Sequence, residues 1–275
     1  MDWKQWMREA LEKAASIFSL NLIGTPVFGW QDRTIACLSL KDGVKVWLRV
    51  VTEQKKWKDG DFWTGNEEAN QITGIRKPNF LYSTEWEWGS VCVRAEVLTW
   101  MDGKICSPTS ECRTYLGLSD SWWQELRDSL HSLSLLETSR VIRTQEEIDL
   151  RLSNRFGNEC DFTIQKWGAA HGDLHWNNMM IPFAILDWEG WGLAPKGYDA
   201  ATLYVYSLLV PAIARRVYNW FLEDLDTREG VVSQLMVIDR LLHRMKKGDH
   251  PDLEEPLHIL AVSLLQKMSH WTHSS

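Results

Sequence analysis

Apolar positions in the first eighteen residues recur at helical spacing. Trp3, Trp6, Met7, Ala10, Leu11, Ala14, Ile17 and Phe18 share one face behind an Asp2 cap, which predicts an opening amphipathic helix. The period then changes. "TPVFGWQDRTIACLSL" and "VKVWLRVV" are extended runs separated by "KDG", and Asp-Gly between two such runs predicts a tight hairpin. In the second run Val44, Val46, Leu48 and Val50 alternate with Lys45, Trp47 and Arg49. That alternation places a packed set on one face of a strand and a basic, aromatic set on the other. A polar helix is expected over residues 66–72, and another strand over "SVCVRAEVLTW".

After Gly103 the spacing becomes helical. "SDSWWQELRDSLHSLSLL" sets Trp122, Leu126, Leu130 and Leu133 on one face behind a Ser/Asp cap. "REGVVSQLMVIDRLLHRMKKG" is amphipathic and ends in Lys246, Lys247 and Gly248, a C-terminal signature in both charge and backbone freedom. "LEEPLHILAVSLLQKM" predicts a further helix. The expected class is α+β: a small antiparallel β-rich lobe over residues 1–100 and a larger helical lobe over 101–275, joined near 98–103.

Composition narrows the function classes. The 275 residues are 44% apolar and 24% charged, ordinary for a soluble globular protein. A net charge of -7 gives no basic excess to track phosphates, which argues against a nucleic-acid binder and makes a cationic small molecule the more natural partner. Cys37, Cys92, Cys106, Cys112 and Cys160 fall at irregular spacings, so neither a zinc site nor a disulfide framework is expected. The opening residues lack a secretory layout, and the uncharged stretch Ala200 to Ala214 is too short for a bilayer and contains Pro211. The expectation is a reduced, cytoplasmic chain without a membrane span. Seventeen Trp are read chiefly as packing residues, with a share left for an aromatic-lined site.

The chemistry concentrates in "AAHGDLHWNNMM", Ala169 to Met180. His171-Gly172-Asp173 is followed by Asn178 and then by Asp187 in "AILDWEG". "MMIPFAIL" between them reads as two short strands around a Pro182-Phe183 turn, which would bring Asn178 and Asp187 to neighbouring strand ends. An amide oxygen beside a carboxylate suits Mg²⁺, a hard ion that completes its shell with phosphates and water. Asp173 on the preceding loop would then accept a hydroxyl proton, the arrangement phosphoryl transfer asks for. Five specified positions, each about one in twenty by usage, meet by chance in on the order of one in ten thousand chains of this length.

The spacing HxDxxxxN, with Gly172, Leu174 and His175 inside it and "ILDWE" after it, resembles the aminoglycoside phosphotransferase and choline kinase-like family. The resemblance implies a two-lobed protein-kinase-like fold, ATP with GTP left open, Mg²⁺ on Asn178 and Asp187, and Asp173 as catalytic base. "LRDSLHSL", with His131, looks like the helix before the catalytic loop. "KGYDAATLY" resembles the segment in which Asp199 would brace that loop. "AEVLTWMDG" looks like the crossing between lobes, implying Leu98 and Trp100 at the adenine. His171, and His175 with it, would be structural. The basic residue expected on the third strand is Arg49, with Lys45 as rival; its carboxylate would come from "NEEAN", Glu67 or Glu68, of which Glu68 matches better. Arg grips phosphate with two donors, so it serves as well as Lys there. The phosphate-covering loop is reduced to Gly29 in "VFGWQDRT", and "DWE" leaves Glu189 to serve a second Mg²⁺ or a cationic substrate.

The acceptor is less defined. Glu223, Asp224, Asp226, Glu229, Asp249, Asp252, Glu254 and Glu255 would either line an acidic groove for a cationic molecule or cover solvated helices. Trp188, Trp191 and Tyr198 offer a wall beside the metal. Three readings stand: a kinase of a hydroxyl on an antibiotic or related metabolite, a choline- or ethanolamine-type kinase, and a kinase-like binding protein without turnover. The oligomeric state is open.

Overall fold

The computed structural model describes residues 2–58 and 60–272. Two compact units divide the chain: Met1–Thr73 with Lys77–Asp102, and Gly74–Arg76 with Gly103–Ser275.

The first unit is a five-stranded antiparallel sheet with a helix on each face. Helix α1 spans Trp3–Phe18 and ends where Ser19 takes a left-handed conformation, its N–H returning to Ala15 and Ser16. The strands are β1 (Asn21–Phe28), β2 (Thr34–Lys41), β3 (Val44–Gln54), β4 (Phe80–Trp88) and β5 (Val91–Thr99), in the spatial order β1-β2-β3-β5-β4. The β2–β3 hairpin closes as the Asp-Gly signal predicts: Lys41 pairs with Val44 around Asp42 and Gly43, both at positive φ. Val46, Leu48 and Val50 pack with Val93, Ala95 and Val97 against Trp6, Met7, Ala10 and Leu11 of α1. Met7 and Leu11 are fully buried, each stabilising the unit by roughly 1.5–3 kcal/mol. The helical face is narrower than its spacing suggests. Ile17 is exposed at the last turn, and Trp3 is exposed while stacking on Trp6 at 4.8 Å.

The opposite sheet face carries Arg49, Arg94 and Glu96, and helix α2 (Asp61–Glu68) reaches them through Asn66 and Glu67. That helix starts five residues before the expected 66–72 segment. Trp63 anchors it, buried and donating Nε1–H to Glu85 at 2.8 Å, and beyond Glu68 the chain tightens into a 3₁₀ turn at Ala69–Gln71.

The second unit is mainly helical. It contains β6 (Lys104–Ile105), α3 (Asp120–Ser134), α4 (Gln145–Phe156), β7 (Trp167–Ala170), β8 (Met180–Ile181), β9 (Gly192–Pro195), α5 (Tyr198–Val205), α6 (Pro211–Trp220), α7 (Leu222–Leu225), α8 (Arg228–Met245) and α9 (Glu254–Thr272). Ser119 caps α3 by accepting from the Trp122 N–H, and Thr144 with Glu147 forms a capping box on α4. β6 pairs with β8, and β7 with β9. Helix α8 is buried along most of its length against α5, with α4 and α9 beside it. Tryptophan here is packing material, as expected: Trp122, Trp123 and Trp176 form a buried cluster, and Trp123 stacks on Trp220 at 6.3 Å. Leu130 on α3 is half-buried, outside the fully packed face. All five cysteines are free, and among the described residues no helix is long and apolar enough to cross a membrane.

Candidate active site

β7 runs out at Ala170, and the chain turns sharply through Gly172 at φ +86°. A Cβ there would lie 2.5 Å from the Gly190 carbonyl oxygen, so only glycine fits. Buried Asp199, at the start of α5, accepts the His171 N–H at 2.7 Å and the Gly172 N–H at 3.0 Å. This is the brace expected of it. Burial pushes its carboxyl up, while the two backbone donors act against that shift. His171 is fully buried, edge-on to Trp188. Its Nε2–H donates to the Leu186 carbonyl at 2.8 Å, and Nδ1 accepts the Asp173 N–H at 3.3 Å. A neutral ring with its proton on Nε2 satisfies both contacts, so His171 is a structural member of the loop.

Asp173 is presented by this frame. Its Oδ1 is sealed from solvent and lies 3.1 Å from Arg240 Nη1 of α8; Oδ2 is 3.4 Å from His175 Nε2. The side chain nevertheless keeps 40% of its exposure, so the open oxygen is Oδ2. Burial raises the carboxyl, but the neighbouring His175 ring and the Arg240 guanidinium outweigh it and hold Asp173 well below the usual carboxylate range. His175 is less self-contained than expected. Its Nδ1 is buried without a hydrogen-bond partner, and its Nε2 is also 3.4 Å from Asn178 Nδ2.

Asn178 donates Nδ2–H to the Asp173 carbonyl at 3.0 Å, which leaves Oδ1 as the oxygen available to a cation. The Pro182-Phe183 turn closes with the Met180 N–H on Ala184 O at 3.0 Å, and the Leu186 N–H donates to Asn178 O at 2.8 Å. Asp187 therefore follows directly after the residue bonded to Asn178. It is exposed and sits at φ 59°, ψ 65°, and its carboxylate makes no hydrogen bond or ion pair among the described residues. A left-handed non-glycine residue is strained, and such strain concentrates at functional sites. Two hard oxygen donors fit Mg²⁺, whose remaining positions go to phosphates and water. Among the described residues no group of three or more His, Cys, Asp or Glu is arranged to hold a metal.

In the first unit Arg49 lies directly opposite Glu96 across the β3–β5 ladder. The guanidinium meets that carboxylate at 3.1 Å, and both side chains are buried. Glu96 also accepts from Asn66 at 2.9 Å and Arg94 at 2.9 Å; Arg94 in turn pairs with Glu85 and Glu67. Glu96 is thus one carboxylate on Arg49, a partner the local sequence did not suggest; Glu68 accepts a hydrogen bond from Thr64 on its own helix, and Arg49 and Glu68 each have further partners. Lys45 is exposed and 3.4 Å from Asp102. Leu98 is buried on the Arg49 face of β5; half-buried Trp100 contacts the Trp47 ring at 5.7 Å and donates to Asp102 at 2.9 Å.

Three residues here carry no local sequence signal. Glu96 and Arg94 sit in a run that reads as a strand, where two charges look like solvated positions, and Arg240 is one of several cations on an amphipathic helix. The proposed aromatic wall is not one: Trp188, Trp191 and Tyr198 are buried at 2%, 1% and 4% exposure, as core. Most of the acidic residues considered for an acceptor groove are already engaged. Glu223 faces Arg127, Asp226 Lys267, Asp249 Arg244 and Asp252 Arg113, while Glu229 accepts the Gln165 and Lys166 N–H groups.

No family model and no curated protein sequence matches the chain. Solved structures do. Aminoglycoside phosphotransferase APH(4)-Ia is similar at TM-score 0.63 and 11% identity, covering 94% of this chain and 98% of that one. The amicoumacin kinase hAmiN, solved with AMP-PNP, Ca²⁺ and Ami, is similar at TM-score 0.58 and 12% identity over 96% and 93%. A putative fructosamine-3-kinase from Haemophilus somnus 129PT is similar at 0.55 and 10% over 96% and 99%. The chain therefore has the fold of the aminoglycoside phosphotransferases and of other small-molecule kinases.

Proposed function

We propose that the chain is a small-molecule phosphotransferase that moves the γ-phosphate of ATP to a hydroxyl group. The observation carrying this reading is the catalytic loop. A cis-acting frame of Asp199, His171 and Gly172 presents Asp173, and the same loop sets Asn178 one residue-pair from Asp187. Phosphoryl transfer is catalysed almost entirely by positioning and charge stabilisation, and those are what this constellation supplies.

In this reading Asp173 Oδ2 accepts the hydrogen bond of the acceptor hydroxyl and takes its proton as the new bond to phosphorus forms. Asn178 Oδ1 and the Asp187 carboxylate hold Mg²⁺, which when bound neutralises charge on the transferring phosphates. Arg49 grips the phosphates, its guanidinium oriented by buried Glu96, and Leu98 and Trp100 flank the base. Nucleotide binding is thus assigned to the first unit, acceptor chemistry to the second. Complexes within the fold support the assignment: APH(4)-Ia variants with AMP-PNP or ADP and hygromycin B, and hAmiN with AMP-PNP and Ca²⁺.

For the acceptor we favour an antibiotic or related metabolite, since APH(4)-Ia and hAmiN are paired with such molecules. The engaged acidic residues do not select for a cation, so a choline- or ethanolamine-type acceptor gains no support from them. The binding-protein reading would be favoured by loss of Asp173, Asn178 or Asp187, and all three are present. The test is Mg²⁺-dependent consumption of ATP and GTP against aminoglycosides, peptide and nucleoside antibiotics, choline and ethanolamine, with Asp173→Ala as blank. Acceptor-dependent turnover lost in that variant supports the reading. Equal consumption by both proteins, or no nucleotide binding, refutes it.

A further inference from the structure

Arg240 was not among the residues the sequence singled out, yet it makes the closest charged contact to Asp173. One nitrogen, Nη1, lies 3.1 Å from Asp173 Oδ1 and donates to the Gly172 carbonyl at 3.3 Å. The Gly172 N–H goes to Asp199 at 3.0 Å, so this residue is held at its N–H by α5 and at its C=O by α8. The other two nitrogens, Nε and Nη2, are sealed from solvent and make no hydrogen bond, and the guanidinium lies 5.9 Å from the centre of the buried Tyr206 ring. Shielded donors packed over an aromatic face do not swing out to grip a phosphate.

α8 is itself fixed at the adjacent residue. Asp239 accepts from Arg151 at 2.7 and 2.9 Å and from Arg155 at 2.9 Å, both on α4. Two neighbouring side chains on one helix thus point in opposite senses of charge, Asp239 tying the helix to α4 and Arg240 tying it to the loop. We propose that Arg240 is the positioning residue of the catalytic loop, fixing the Asp173 carboxylate and the Gly172 peptide so that Asp173 Oδ2 alone faces the acceptor hydroxyl. What Asp173 does there rests on the phosphotransferase reading; that Arg240 fixes it does not.

The test compares Arg240→Gln and Arg240→Lys, with Arg155→Gln as a control for α8 anchoring. Amide hydrogen exchange over residues 169–180 should accelerate in Arg240→Gln and return toward wild type in Arg240→Lys, which keeps a cation for Asp173. Turnover should split the same way. In Arg240→Gln, kcat falls by about 10²-fold, the size of effect a ~1 Å misplacement produces, while KM for ATP stays within about twofold. Arg155→Gln should lower Tm without that kcat loss. Wild-type loop exchange in a folded Arg240→Gln overturns the proposal, as does an equal fall in Arg240→Lys and Arg240→Gln. Should wild type and Asp173→Ala consume nucleotide alike, the phosphotransferase reading fails, and the exchange comparison still decides whether Arg240 holds the loop.

Discussion

Gly172→Ala perturbs the loop at its tightest point, and its cost can be worked from two terms. At φ +86° an L side chain meets the left-handed penalty, roughly 1–2 kcal/mol. The new Cβ would also lie 2.5 Å from Gly190 O and 2.9 Å from Ile142 Cδ1, and the first of these is backbone, so the loop must move. Overpacking of that kind costs typically about 1–3 kcal/mol. The sum, about 2–5 kcal/mol, corresponds to a Tm drop of roughly 5–15 °C in a chain of this size. Gly43→Ala isolates the first term: φ is +82° and no atom lies within 4 Å of its added Cβ, so it should lose only about 1–2 kcal/mol. Thermal unfolding of both variants followed by acceptor-dependent turnover is the assay. Gly172→Ala should lose more stability than Gly43→Ala and about 10²-fold in kcat, because Asp173 follows the displaced peptide. Equal Tm losses with kcat within about twofold of wild type would refute the claim that packing at Gly172 sets Asp173.

Other perturbations separate the remaining roles. Arg49→Ala strips one cation from buried Glu96 and should cost about 3 kcal/mol along with nucleotide affinity, whereas Lys45→Ala, at an exposed pair, should change stability by less than about 1 kcal/mol; isothermal titration with Mg·AMP-PNP and thermal melts read both. If Lys45→Ala alone abolishes nucleotide binding, the phosphate-gripping residue is misassigned. Asp199→Ala leaves the His171 and Gly172 N–H groups unpaired in a buried site, about 1–3 kcal/mol each, and should lower Tm and turnover together. Asp187→Asn touches an exposed side chain tolerated by the same left-handed backbone, so Tm should hold while Mg²⁺-dependent turnover is lost; retained turnover would remove Asp187 from the metal. Burial pushes the Cys106 thiol up to about 12, so at pH 8 alkylation followed by mass spectrometry should label half-buried Cys160 well before Cys106.

What the sequence disclosed follows from the range of the interactions involved. The α1 helix, the Asp42-Gly43 hairpin and the loop from His171 to Asp187 are written in short-range periodicity, turn chemistry and fixed spacing, and all three form. Glu96 is 47 residues from Arg49, and Arg240 is 67 from Asp173. Neither pairing leaves a local pattern; it exists only once β3 lies beside β5 and α8 against α5. The aromatic wall failed for a related reason. Trp188, Trp191 and Tyr198 are adjacent to a polar site in sequence, but large rings are drawn into the core by the area they bury. Glu223, Asp226, Asp249 and Asp252 lost their apparent freedom to arginines and lysines whose positions a linear reading cannot pair.

In the proposed reaction Asp173 serves transfer of a phosphoryl group to a small-molecule hydroxyl. Its most direct test is transfer of label from γ-labelled ATP to an acceptor, with wild type and Asp173→Asn compared at saturating Mg²⁺. Label is expected on the acceptor with wild type, with a loss of several orders of magnitude in Asp173→Asn while Mg·nucleotide affinity is kept. Label transferred equally by both proteins would contradict it.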